Sequence, residues 1–162
     1  MKIEVVPDVM SIQEVDLLMS QVDPKNTATP MTYFDNIDRN YGLKKVKCID
    51  NPIVQDLIKR TGLHDVQGAS VLYYPTGSFN AQHSDNALVN NGVVTRIKEW
   101  TRTAVIFLNN SYTGGELVYP EQGCTFTPTI GTMVLASADY EYKHLVKPVL
   151  TGERFTLVLR IV

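Results

Sequence analysis

From Val66 to Val162 the sequence is a succession of short runs rich in β-branched and aromatic residues, each cut off by turn chemistry. "VQGASVLYY" stops at Pro75-Thr76-Gly77, "TRTAVIFLN" stops at Asn109-Asn110, and "ELVYP" follows Gly114-Gly115. "GTMVLAS", "YKHLVKPV" and "RFTLVLRIV" complete the series. Branched and aromatic side chains suit a pleated, half-buried surface. Many short strands at this spacing predict an antiparallel sandwich or barrel, here a jelly roll.

The residues ahead of Val66 follow a different period. In "SIQEVDLLMSQV", Ser11 and Glu14 form a capping box, and Ile12, Val15, Leu18, Met19 and Val22 fall on one helical face. A second helix is expected at "NPIVQDLIKRTG", with Asn51 as N-cap, Pro52 in the first turn and Gly62 as terminator. The expected organisation is therefore one domain over 1–162. Its helical part is about 1–65 and its jelly-roll core about 66–162, with no linker between them.

Composition narrows the function classes. A chain of 162 residues with 44% hydrophobic and 20% charged residues is long enough for a substantial core and ordinary for a globular protein. A formal net charge of -2 makes no electrostatic case for nucleic acid or an anionic membrane as partner. No apolar run approaches the roughly 20 residues that span a bilayer. The start, "MKIEVVPDVM", has acids and a proline where a secretory leader needs an unbroken apolar segment, so a cytoplasmic location is expected. Cys48 and Cys124 then read as reduced thiols.

The chemistry centres on "QHSDN". One of only three histidines, His83, stands two residues before Asp85. On a strand such a pair shares one side. A non-haem Fe(II) centre that activates dioxygen needs two imidazoles and a carboxylate on one face, with the other face open. The missing imidazole must come from a distant strand, and His144 in "YKHLVKPV" is the candidate. Ten residues further on, Arg154 interrupts an otherwise apolar strand. An inward arginine is costly without an anion. A bound dicarboxylate would supply one through a bidentate contact, and one of the chain's own acids is the plainer alternative. Thr156, on the same strand face, adds a hydroxyl.

At these residues the chain resembles the prolyl 4-hydroxylase branch of the Fe(II)/2-oxoglutarate-dependent dioxygenases. "VPDVMSIQEVDLL" resembles the family's entry into its first helix, and "YPTGSFNAQHSDN" its approach to the His-x-Asp pair. "FLNNSYTGGELVYP" is similar to its strand–turn–strand with Gly-Gly, and "HLVKPVLTGERF" to its closing segment. The resemblance implies a double-stranded β-helix, cupin-like, that is mainly β with N-terminal helices. It implies Fe(II) on His83, Asp85 and His144, and 2-oxoglutarate as co-substrate with its distal carboxylate on Arg154. Tyr74 would line the co-substrate pocket, and ascorbate is a candidate reductant. Phe107 stands where relatives often have a tyrosine, and Thr103 on the same strand face is expected to substitute for its hydroxyl.

The implied reaction consumes O2, decarboxylates 2-oxoglutarate to succinate and hydroxylates a prolyl residue in a peptide or protein. Two alternatives stand beside it: hydroxylation of a free amino acid or other small molecule, and a non-catalytic jelly-roll binding module. Residues 86–100, "NALVNNGVVTRIKEW", read as a long loop or hairpin beside the site, with a lid and a plain surface hairpin as the two readings. Tyr33, Phe34 and Tyr41 offer aromatic surface for a substrate.

Overall fold

The computed structural model describes residues 2–31 and 40–162. Tyr33 and Phe34, singled out for a substrate surface, lie outside the described residues; Tyr41 is exposed and stacks on Phe79, with ring centroids 6.1 Å apart. Both expected helices form. Ile12–Val22 begins on the Ser11–Glu14 capping box, each partner donating a backbone N–H to the other's side chain at 3.1 Å. Pro52–Thr61 begins with the Asn51 side chain accepting from the Ile53 N–H and ends at Gly62 in the left-handed region. A short extra helix, Pro24–Thr27, follows the first.

The strands form two larger antiparallel sheets. The major sheet has seven strands in the order 4–6, 133–137, 102–107, 154–161, 66–74, 44–47 and 29–30. The minor sheet has five, in the order 124–126, 117–119, 144–146, 79–83 and 40–41. This mainly β, jelly-roll arrangement is the one expected, with one difference of detail. The segment before Val66 also supplies strands: Glu4–Val6 pairs with Met133–Ser137, and Lys44–Lys47 pairs with Val66–Tyr74. The helical period in that segment is so strong that these short strands leave little pattern of their own.

Period-two alternation divides the major sheet's residues between two cores. Phe155, Leu157, Leu159 and Ile161 face one core with Val71, Ala104, Ile106 and Leu135, closed by Val15, Leu18, Val54 and Leu57 of the helices. Leu72, Tyr74, Val105, Phe107 and Val158 face the other, against Leu117, Tyr119 and Val146 of the minor sheet. Each fully buried leucine contributes about 1.5–3 kcal/mol, so the helix-side core carries much of the fold's stability. Residues 86–100 contain the expected hairpin, Ala87–Asn90 with Val93–Arg96, turning at Asn91-Gly92 with both φ angles positive. Positive φ at both central residues is the two-residue turn that Asn-Gly favours. Among the described residues no helix is long and apolar enough to cross a membrane.

Candidate metal centre and co-substrate pocket

The two histidines meet because their strands are neighbours. His83, the last residue of Phe79–His83, is directly opposite His144, the first of His144–Val146. Their ring centroids are 4.5 Å apart. Each ring is fixed from behind by a backbone carbonyl: Ala81 O accepts from His83 Nδ1 at 2.8 Å, and Tyr142 O accepts from His144 Nδ1 at 3.1 Å. A carbonyl only accepts, so Nδ1 carries the proton and each Nε2 turns a lone pair into the pocket. Tyr119 packs against the His144 ring at 4.9 Å.

Asp85 completes the group. Its Oδ1 is 3.5 Å from His83 Nε2, and its Oδ2 is 3.7 Å from His144 Nε2. One ligand atom from each of the three buried residues lies within 4.8 Å of the others. Three lone-pair donors facing one another in a buried place repel, and a cation among them turns that repulsion into coordination. The donor set, two imidazoles and one carboxylate, is that of a non-haem ferrous centre.

Electrostatics keep Asp85 and His144 in the ligating state. Burial would raise the Asp85 pKa, but the Arg160 guanidinium beside it, the largest opposing influence, holds the carboxyl well below its usual range. Burial pushes His144 down to about 4, against the opposing pull of Asp85, so the ring is neutral at physiological pH. Arg160 is the residue the sequence reading missed. Its Nη1 pairs with Asp85 Oδ2 at 2.9 Å and donates to Thr103 Oγ1 at 3.0 Å, and its guanidinium lies 5.0 Å from the centre of the Trp100 ring. The signal for it was present, since Arg154, Thr156, Val158 and Arg160 alternate onto one face of "RFTLVLRIV".

Thr103, expected to replace a co-substrate-binding hydroxyl, lines the same pocket as Arg154 and Thr156. Its Oγ1 accepts from Arg160, which leaves its own hydroxyl proton available to donate. In the cross-strand register Thr103 is opposite Arg160, whereas Phe107 is opposite Thr156. Residues sharing a strand face are still several residues apart along the pocket.

The far end of the pocket holds Arg154, 1% exposed, with neither Nε nor Nη2 hydrogen-bonded. It has no acid partner among the described residues, so the intramolecular salt bridge is not formed. Its guanidinium lies 4.6 Å from the centre of the Tyr74 ring and 5.8 Å from that of Phe107. Thr156 Oγ1 is buried and unpartnered beside it. Tyr112, not singled out from sequence, sets its hydroxyl beside the guanidinium, whose charge and hydrogen bond pull its pKa down against the larger upward push of burial. Burial raises the Tyr74 pKa, and the Asn80 side chain hydrogen-bonds its hydroxyl. The Gly-Gly turn is part of the enclosure: a Cβ at Gly115 would stand 3.0 Å from Arg154 Cδ and 3.1 Å from Tyr112 Cε2, and its φ of +65° suits glycine. Unpartnered buried donors of this kind fit an anion.

Beyond Asp85 the chain is tied down by Asn86, another residue missed from sequence. Its side chain donates to Trp100 O at 2.9 Å and Asp139 Oδ1 at 2.8 Å, while its carbonyl accepts from Ile97 and Lys98. The base of the 87–96 hairpin is thus clamped next to His83 and Asp85. Val89, Val93, Val94 and Ile97 remain exposed on it.

A buried facial triad and an orphaned arginine at opposite ends of one jelly-roll pocket define a class of iron oxygenase that uses an acidic co-substrate. Comparison with known proteins gives the family. The 2OG-Fe(II) oxygenase superfamily matches residues 69–160, more than half of the chain, and the protein belongs to it. It is a 2-oxoglutarate-dependent dioxygenase, with Fe(II) and 2-oxoglutarate as metal and co-substrate. No curated protein matches the sequence. Among solved structures, the fold is similar to the viral collagen prolyl hydroxylase of Paramecium bursaria Chlorella virus-1 at a TM-score of 0.75 and 18% identity, covering 99% of this chain and 96% of that one. A prolyl hydroxylase of Trichoplax adhaerens, in complex with a hypoxia-inducible-factor peptide, has a TM-score of 0.72 at 18% identity, covering 98% and 82%. A prolyl-4-hydroxylase of Pseudomonas putida has 0.68 at 16% identity, covering 98% and 90%.

Proposed function

We propose that the protein hydroxylates a prolyl residue in a peptide or protein, with His83, Asp85 and His144 holding the iron. Arg154 and Thr156 hold the distal carboxylate of 2-oxoglutarate, and Tyr74 walls the co-substrate pocket. Iron held by these residues would let O2 oxidise the co-substrate to succinate and carbon dioxide, one oxygen atom going into succinate and the other into a hydroxyl on the substrate. The chain's own residues do the positioning. The carbonyls of Ala81 and Tyr142 hold the imidazole tautomers, and Arg160 holds the free side of the Asp85 carboxylate. Arg154 neutralises the co-substrate in a pocket whose apolar walls, Leu72, Val105 and Val158, exclude water.

The observation that carries the reading is the buried Arg154 in the same pocket as the triad, its Nε and Nη2 without hydrogen-bond partners and no acid beside it among the described residues. The prolyl target is supported by the likeness of the fold to three prolyl hydroxylases. In the same reading the chain is one domain, supported by the pairing of Glu4–Val6 with Met133–Ser137. A cytoplasmic location is supported by two unpaired cysteines. The test is turnover of 2-oxoglutarate with iron and O2, screening proline-containing peptides against free amino acids by product mass. A mass gain of one oxygen on a peptide proline is expected. Oxygen appearing only on a free amino acid would move the assignment to the small-molecule alternative.

A further inference from the structure

Beside the iron pocket, and continuous with it through Met31, Leu72, Val158 and Arg160, lies a wider trough of about 410 Å³. Its floor is the strand Val66–Tyr74, whose residues at this point, Gly68 and Ser70, are small. Gly68 is not required by the backbone, since its φ is not positive and an added Cβ would meet only the Arg160 stem, at 3.7 Å. Its smallness leaves the floor open. The walls are longer. Lys47 is opposite Ser70 and Lys45 opposite Leu72 on one side, and Arg160 is opposite Gly68 on the other. Trp100 closes the end, its ring centre 5.0 Å from the Arg160 guanidinium and 5.5 Å from Lys98 Nζ.

Among the described residues the charge in this trough is of one sign. Asp85 is the only acid lining either the trough or the iron pocket among the described residues, and Arg160 pairs with it. Lys45 and Lys47 make no ion pair with any described residue. Burial lowers the Lys45 pKa, and Lys47, Arg160 and Lys98 lower it further. Soluble surfaces ordinarily intersperse the two signs, so cations gathered in a concavity that opens onto a reactive centre raise the local concentration of anions.

We propose that the trough seats the substrate chain next to the residue being oxidised, and that the substrate is a peptide with acidic side chains flanking its target. This rests on the peptide reading above and adds the substrate's charge. Lys45 and Lys47, two residues apart on a strand, stand ~7 Å apart, and an extended peptide repeats at the same spacing. Carboxylates at alternate positions of the peptide therefore meet both lysines while the target reaches past Arg160 to the triad. Nucleic acid fits less well, because the whole chain is net acidic at -2 and the described residues of the trough offer one stacking aromatic.

Trp100 is the sole tryptophan, so its fluorescence reports occupancy directly. The holoenzyme under nitrogen is titrated with blocked nonapeptides carrying a central proline and glutamate, glutamine or lysine at the alternate flanking positions. The glutamate peptide is expected to bind about tenfold more tightly than the glutamine peptide or better. The gap should close in 0.5 M salt (roughly a 4 Å screening length) and in the K45Q/K47Q variant, and K45E/K47E should favour the lysine peptide. Equal binding in the wild type, no binding of either peptide, or a gap that survives in K45Q/K47Q overturns the proposal. So does tighter binding of a single-stranded oligonucleotide than of the glutamate peptide. Product masses separate this from the prolyl assignment. Charge-selective binding without oxidation of proline keeps the trough and removes that assignment, whereas equal binding with equal hydroxylation does the reverse.

Discussion

On the helix side of the strand Arg154–Ile161, Phe155, Leu157, Leu159 and Ile161 are packed in an apolar core. On the pocket side the same strand carries Arg154, Thr156, Val158 and Arg160, of which only Val158 is apolar. The neighbouring strand Arg102–Phe107 divides in the same way, Ala104 and Ile106 against Thr103, Val105 and Phe107. The helix side gains free energy on folding. The pocket side gives some back, because buried donors at Arg154 and a buried hydroxyl at Thr156 lack partners. The difference teaches that substitutions on the two sides should fail differently, one by unfolding the protein and the other by losing a ligand.

The largest effect is expected at the triad. His83→Ala or His144→Ala should lose iron binding and turnover to background, while the metal-free variant unfolds at about the same temperature as the wild type. Removing one of three ligands leaves too few to hold a ferrous ion. Metal content and calorimetry check the two halves; a variant that retains iron stoichiometrically would place the centre elsewhere.

Next comes the helix side itself. Leu157→Ala should cost about 2–5 kcal/mol of stability by opening a cavity under the helices, with little change in the KM for 2-oxoglutarate. Denaturant titration and co-substrate kinetics measure both. A large rise in KM at unchanged stability would dissolve the distinction between the faces.

Arg154→Ala should show the opposite pattern. Its KM for 2-oxoglutarate should rise by about 30-fold or more, the equivalent of the roughly 2–5 kcal/mol lost when one partner of a buried charge pair is removed. The co-substrate-free protein should lose no stability in Arg154→Met, because that change removes an unpaired buried cation and keeps the volume. Arg154→Lys should be milder than alanine, retaining charge without the fork. Marked destabilisation of Arg154→Met would mean that the guanidinium is structural.

The smallest effect should come from Arg160, which acts through Asp85. Arg160→Met should weaken iron binding by about 10–100-fold, the usual scale for a residue that orients a ligand, with partial recovery in Arg160→Lys. Competition against a chelator gives the affinity. Unchanged iron affinity in Arg160→Met would reduce the residue to a wall of the substrate trough.

Much of this was legible from local pattern. Alternation in "RFTLVLRIV" separates the two faces, the Ser11–Glu14 and Asn51 caps start the helices, and the spacing of His83 and Asp85 puts both on one side of a strand. Those signals depend on residues near one another in the chain, whose spacing is set by the 3.6 and 2 periods of helix and strand. What the fold alone decided are pairings between distant strands. His144 opposite His83 is one, and Arg160 on Asp85, 75 positions earlier, is another. Thr103 accepting from Arg160 is a third, and Lys45 and Lys47 set beside Gly68 and Ser70 a fourth. Strand order and register are properties of the whole sheet, set by the packing of its two faces together, and no local period encodes which side chain will stand opposite which.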